Sequence, residues 1–241
     1  MKISVVVPAF NEEKLIAASL TAIRSAMGAF APTGWQSELI VCDNNSTDRT
    51  AELARAAGAL VVFEPVNQIA RARNKGAEAA TGDWLIFVDA DSQPSAELFA
   101  DVVAAIESGK YIYGGCTIRL DGNYPVAKLV TGLWNGISRL RKWAAGSFIF
   151  CETAAFREIG GFDKELFVSE ELDLSNRLWR VARARGKSAV ILRRHPLVTS
   201  ARKMHLYRRR DMVRFLMRTI LSGGRAMRNR DACHVWYDGK R

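Results

Sequence analysis

Two carboxylates stand one residue apart at Asp89 and Asp91, directly after the apolar run Trp84 to Val88. Hard divalent cations take carboxylate oxygens and substrate phosphates as ligands, and Mn²⁺ also suits oxygen-rich sites. An acid pair at a strand end can sit beside a metal that bridges a pyrophosphate. The plain alternative is a turn whose aspartate caps the helix starting at Pro94. Asp43, in Val-Cys-Asp-Asn-Asn-Ser-Thr-Asp48, follows a second apolar run, where a carboxylate can accept a hydrogen bond from a base N–H. Asn45 or Ser46 would cap the next helix, with Asp48 in its first turn. Arg71, Arg73, Asn74 and Lys75 open a third helical region, placed either to hold phosphate or to form a solvated face. Glu170, Glu171 and Asp173 follow Ser169 in the pattern of an ordinary acidic helix N-terminus.

The elements that must position these residues are legible in the first half. Ile3–Val7, Leu39–Cys42, Leu60–Phe63 and Trp84–Val88 are short apolar runs of the kind found in buried parallel strands. Helical spacing follows each, over Glu12–Met27, Thr47–Gly58, Ile69–Ala80 and Pro94–Ser108. Such alternation predicts an α/β fold, a mostly parallel Rossmann-like sheet with helices on both faces. Ligands of such sheets bind beyond the C-terminal strand ends, where Asn11-Glu12, Asp43 and Asp89/Asp91 stand. The second half is less regular: strands at Tyr111–Ile118, Phe148–Cys151 and Ala189–Leu192, an amphipathic stretch over Leu129–Trp143, and a helix over Glu170–Arg185.

Composition bounds the partners. The 241 residues are 49% hydrophobic and 25% charged, which is a folded globular balance. The net charge of +10 suits an anionic partner: nucleic acid, anionic lipid or a phosphorylated substrate. From Arg177 onward only Asp211, Asp231 and Asp238 oppose the basic residues. Cys42, Cys116, Cys151 and Cys233 are widely spaced, with no zinc or disulfide pattern, so buried reduced thiols are expected. No signal peptide and no run of about 18 apolar residues are visible, so the expected location is cytoplasmic, with any membrane contact peripheral at its inner face.

The series Val-Val-Val-Pro-Ala-Phe-Asn-Glu-Glu13, Asp-Asn-Asn-Ser-Thr-Asp48, Ala-Arg-Asn-Lys-Gly76 and Val-Asp-Ala-Asp91 resembles the inverting family 2 glycosyltransferases in order and interval. Gly160-Gly-Phe-Asp163 and Ser169-Glu-Glu-Leu-Asp-Leu174 are similar to that family's downstream signatures, so the likeness covers residues 1 to about 195. It implies a GT-A fold and a hexosyltransferase moving a sugar from a nucleotide diphosphate donor, UDP before GDP, with inversion and with Mn²⁺ or Mg²⁺. The acceptor would be a saccharide or a lipid-linked molecule. The resemblance implies a nucleoside pocket at Pro8, Ala9, Phe10 and Glu12, with Asp43 at the base and Arg73 near the nucleotide. Asp89 falls on the ribose or metal side and Asp91 on the metal. It also implies that Glu171 is the general base, although the family has aspartate there, which leaves Glu170 and Asp173 open. His195 is a candidate to complete the metal shell, ahead of His205, and Gly146-Ser147 resembles the segment near the donor sugar.

The expected organisation is a GT-A domain over 1–200, with a nucleotide-binding half (1–108) and an acceptor-binding half (109–200), then a basic tail over 201–241. Within the tail, Leu206, Val213, Leu216, Met217 and Ile220 share one helical stripe and Arg210, Arg214 and Arg218 form a row. Such a segment can lie on an anionic bilayer or pack its stripe on the core. Three rivals remain. A sugar-phosphate nucleotidyltransferase would carry a Gly-rich N-terminal motif, which is missing. A nucleic-acid-binding protein leaves the strand-end acids unexplained, so no nucleic acid is expected. A catalytically silent nucleotide-sugar binder would bind UDP without transfer.

Overall fold

The computed structural model describes residues 1–121, 125–200, 225–231 and 233. The strands are β1 (Lys2–Ala9), β2 (Gln36–Asp43), β3 (Leu60–Phe63), β4 (Trp84–Val88), β5 (Ser92–Gln93), β6 (Tyr111–Leu120), β7 (Phe148–Glu152) and β8 (Ser188–Thr199). The α-helices are α1 (Ile16–Met27), α2 (Thr50–Ala56), α3 (Ile69–Ala79), α4 (Ala96–Glu107), α5 (Pro125–Arg141), α6 (Thr153–Glu158) and α7 (Glu170–Ala184). One eight-stranded sheet joins them in the order β3-β2-β1-β4-β7-β6-β8-β5.

The first four strands are parallel, as their continuous Val/Ile/Leu runs predict. β7 then enters antiparallel to β4 and β6, while β6 and β8 are parallel, so the whole sheet is mixed. Successive strand residues alternate between two apolar layers. Val5, Val7, Ile86 and Val88 pack with α1 and α4, through Leu20, Ile23, Leu98 and Phe99. Val6, Leu85, Phe87 and Ile149 face the opposite layer, with Ala77 of α3 and Leu174 and Leu178 of α7. Strands buried on both faces explain why no polar alternation is visible in β1 and β4. α3 lies so close to β1 that a Cβ on Gly76 would stand 2.4 Å from a methyl of Val6.

Several elements differ from the sequence expectation. β8 runs to Thr199, through His195-Pro196, rather than stopping at Leu192. Proline breaks a regular ladder, but here the register jumps from Cys116/Leu192 to Ile118/Leu197, and Pro196 sits within the irregularity. β5 is a two-residue strand paired to the end of β8, Ser92 opposite Thr199. α6 is a six-residue helix, too short for periodicity to mark it. All four cysteines are buried and unpaired as disulfides. Burial pushes the thiols of Cys42 and Cys116 up to about 12. No helix among the described residues is long and apolar enough to cross a membrane.

Candidate active site

Strand order reverses between β1 and β4, and the ends of these two strands frame a crevice at that switch point. The cavity, about 200 Å³, is lined by Pro8, Ala9, Phe10 and Glu12 at the end of β1 and by Asp89, Ala90 and Asp91 after β4. Gly146 ahead of β7, and Ser169, Glu170 and Glu171 at the start of α7, close the opposite wall. Four segments distant in sequence thus deliver five carboxylates and a glycine to one space.

The β1 side is held by a network of short polar side chains. The Glu12 amide donates to Thr50 Oγ1 at 2.7 Å, the Thr47 amide to Asn11 Oδ1 at 2.8 Å, and the Glu13 amide to Asp48 Oδ2 at 3.1 Å. Asn11 takes a left-handed conformation at φ 52°, which asparagine tolerates better than most residues. Burial raises the Asp48 carboxyl, but hydrogen bonds from the Thr50 hydroxyl and amide hold it below its usual range. Asp48 therefore knits the two loops together.

Arg73 is the electrostatic centre. Its side chain is 1% exposed, yet its guanidinium bridges two acids and a backbone carbonyl. Nη1 donates to Glu170 Oε1 at 2.7 Å, while Nη2 donates to Asp89 Oδ1 at 3.0 Å and to the Gly146 carbonyl at 2.7 Å. The guanidinium carbon lies 5.2 Å from the Phe162 ring centroid. Burial alone would lower the Arg73 pKa, but Asp89 and Glu170 outweigh it and the group is held above its usual value. One cation on α3 thereby fixes the end of β4, the turn before β7 and the start of α7.

Adjacent Glu170 and Glu171 have different environments. Glu170 is buried and bound to Arg73. Glu171 lines the cavity, and its carboxyl is pushed up to about 8, first by burial and then by the Glu170 charge, with Arg73 opposing both. A carboxylate with its pKa near neutrality is matched to taking a proton from a hydroxyl. Ser169 precedes the pair at φ 66° and gives α7 no side-chain cap, so the loop enters this helix in a costly conformation at the cavity wall.

The structure brings together Pro8, Ala9, Phe10, Glu12, Arg73, Asp89, Asp91, Glu170 and Glu171. Other candidates stand apart. Asp43 does not line the cavity; its Oδ1 accepts from the Ser46 amide at 3.0 Å, and the neighbouring Asn44 reaches the cavity wall instead. Arg71 donates to Gln68 Oε1 at 3.0 Å. Asn74 clamps the backbone of Phe162 through both ends of its amide, at 2.9 Å each. Asp173 pairs with Arg177 at 2.7 Å, one turn further along α7. His195 faces Asp101, with Nδ1 3.0 Å from Oδ2, and is not placed with Asp89 and Asp91. It lies in the irregular part of β8, three residues short of Val198, where that strand first meets β5. His205 and the tail stripe lie outside the described residues.

No three His, Cys, Asp or Glu side chains converge as a metal cage among the described residues. Asp89 and Asp91 still suit a cation that takes one or two carboxylates and completes its shell with substrate phosphates and water.

The sequence model described as glycosyl transferase family 2 matches residues 4–162, which span both the strand ends and the turn before β7. The chain belongs to glycosyl transferase family 2. A glycosyltransferase of Mycobacterium tuberculosis (strain ATCC 25618 / H37Rv) is 36% identical over 113 residues, covering 47% of each chain. The dolichol-phosphate mannosyltransferase of Pyrococcus furiosus is 31% identical over 130 residues, 48% of this chain and 35% of that one. The matches thus span about half the length of the curated relatives, or less. Among solved structures, Staphylococcus aureus TarS 1–349 superposes with TM-score 0.67 at 22% identity, over 84% of this chain and 61% of that one. The glucosyl-3-phosphoglycerate synthase of Mycobacterium tuberculosis, in complex with Mn²⁺, UDP and phosphoglyceric acid, gives 0.60 at 20% identity over 91% and 76%. These likenesses establish the GT-A fold.

In this family 2 glycosyl transferase the rim of the cavity also receives chain from beyond residue 200. The Phe167 amide donates to the Met227 carbonyl at 2.8 Å, and Arg228 pairs with Glu165. Sequence inspection missed this contact, because the segment Arg225–Arg228 carries no apolar period of its own.

Proposed function

We propose that this glycosyl transferase moves a hexosyl group from a nucleotide diphosphate donor, UDP before GDP, to an acceptor hydroxyl with inversion at the anomeric carbon. The observation that carries this reading is the separation of roles across one cavity: Asp89 and Asp91 on one wall and Glu171, with its raised pKa, on the other. The nucleoside would lie against Pro8–Phe10 and Glu12. Asp89 and Asp91 would hold Mn²⁺ or Mg²⁺, which when bound neutralises charge on the departing diphosphate. Glu171 takes the acceptor proton as the acceptor oxygen forms its bond to the anomeric carbon. The bond from that carbon to the diphosphate breaks on the opposite side, and the nucleoside diphosphate leaves with the electron pair. Glu170 stays paired with Arg73.

Solved neighbours support the donor class: TarS 1–349 is known in complex with UDP-GlcNAc, and PcManGT of Pyrobaculum calidifontis with GDP-Man and Mn²⁺. The dolichol-phosphate mannosyltransferase relative and the basic composition of the tail support a lipid-linked acceptor at an anionic membrane surface. The test is a thermal-shift panel of UDP- and GDP-sugars with and without Mn²⁺, followed by NMR of the anomeric configuration in the product. Stabilisation by a UDP-sugar that needs Mn²⁺ and is lost in Asp91→Ala is expected. Equal stabilisation of the variant overturns the metal assignment, and a retained anomeric configuration overturns the direct displacement.

A further inference from the structure

α5 is built inside out. It turns polar side chains inward: Ser138 is buried, and Asn135 bonds both the amide and the carbonyl of Ile118 at 3.0 Å each. Its outward stripe is apolar. Leu129, Leu133 and Leu140 are 76%, 66% and 83% exposed, and Ile137 lies with them. At 100° per residue these four fall within one narrow sector, with Arg139 and Arg141 flanking it on either side. A helix that packs on a core has the reverse arrangement, and the described residues leave the apolar face of α5 uncovered.

The flanking surface identifies the partner. A groove of about 880 Å³ adjoins Leu140 and is lined by Lys110, Arg139, Lys142, Arg193 and Arg194, with Asp101 the one acid. An apolar ridge bordered by arginines on both sides fits the interface of an anionic bilayer: leucines enter the acyl boundary while guanidinium groups reach the headgroups. A second copy would bring the same basic rim against itself. Residues 201–224 carry seven Lys or Arg and a single Asp, a charge that opposes a basic groove and favours the same anionic surface. The last turn of α5 also leads within five residues to Gly146 at the cavity, so a docked α5 sets the cavity beside the lipid.

We infer that the outward face of α5, with its flanking basic groove, seats this enzyme on an anionic lipid bilayer. The inference rests on the proposed lipid-linked acceptor only for its purpose, and vesicle binding is measured without any donor or acceptor. The experiment is flotation of the full chain with phosphatidylcholine vesicles, with or without phosphatidylglycerol. Wild type floats with the anionic vesicles and less so at high salt. Leu129→Gln/Leu133→Gln/Leu140→Gln lowers the partition at least about tenfold through loss of buried apolar surface. Arg139→Gln/Arg141→Gln lowers it by roughly fivefold per charge removed. The triple leucine variant keeps the melting temperature of wild type and its Mn²⁺-dependent response to UDP, which separates a docking failure from a failure of the donor assignment. Three results overturn the inference: wild type that ignores anionic vesicles at low salt, a triple variant that floats like wild type, or a triple variant whose melting temperature falls by several degrees, since the face would then be covered by protein.

Discussion

α3 and α5 both violate the rule that a surface helix hides its apolar stripe, and they do so in opposite ways. α3 buries a cation, Arg73, and an amide, Asn74, beneath the sheet-facing surface. α5 exposes leucines and turns Asn135 and Ser138 inward. In α3 the burial is tolerated because both polar side chains turned inward find partners: Arg73 two carboxylates and a carbonyl, with only its Nε left without one, and Asn74 the Phe162 backbone. In α5 the inward amide is likewise answered, by Ile118, but the outward leucines are not. A broken pattern that is compensated within the chain organises an internal site; one left uncompensated points outward.

The sharpest way to break this comparison is at Arg73. Arg73→Met leaves Glu170 buried beside Asp89 without its partner, and loss of one member of a buried ion pair costs about 3–5 kcal/mol. Urea unfolding should show a midpoint well below wild type, and a loss under about 1 kcal/mol would mean that the brace contributes little. Glu171→Gln comes next. It should lower turnover by about 10²-fold or more with Mn²⁺-dependent UDP affinity retained. Turnover within a few-fold of wild type would move the base elsewhere, to Asp173 first.

The pH profile sharpens the contrast between the two glutamates. Glu171 must be ionised to accept a proton, and its folded pKa is raised to about 8. The value of kcat/KM should therefore rise with pH through about 8 and level off above it. A profile already flat from about pH 5, the range of an ordinary glutamate, would show that Glu171 does not gate the reaction. The smallest effects belong to α5. Asn135→Ala removes two hydrogen bonds to a strand and should cost about 1–2 kcal/mol. Leu133→Gln, on the outward face, should stay within about 0.5 kcal/mol of wild type. Equal losses at the two positions would erase the asymmetry of the helix.

The first four strands were legible because each is a continuous apolar run bounded by polar residues, and the acids after β1 and β4 mark the crevice. The partners of Arg73 were not, since Asp89 and Glu170 lie 16 and 97 residues away and pair with it only through the fold. A helical wheel shows Arg73 merely as one more cation beside Arg71 and Lys75. Pro196 concealed the outer half of β8, because a proline inside a strand reads as an ending unless the partner strand slips register to admit it. That same slip decides the fate of His195, whose ring is carried to Asp101 rather than to the acids after β4. Asn44, not Asp43, reaches the cavity, because strand alternation and the turn that follows place neighbouring side chains differently.

The four cysteines give the molecule a property useful at the bench. Cys42, Cys116, Cys151 and Cys233 are buried, and burial raises each thiol so that almost no thiolate forms near neutral pH. Alkylating reagents react with the thiolate, so the native chain is chemically silent toward them. A single cysteine introduced at Leu133 or Leu140 would then be the one reactive site on the folded protein, ready to carry an environment-sensitive dye without removing any native thiol.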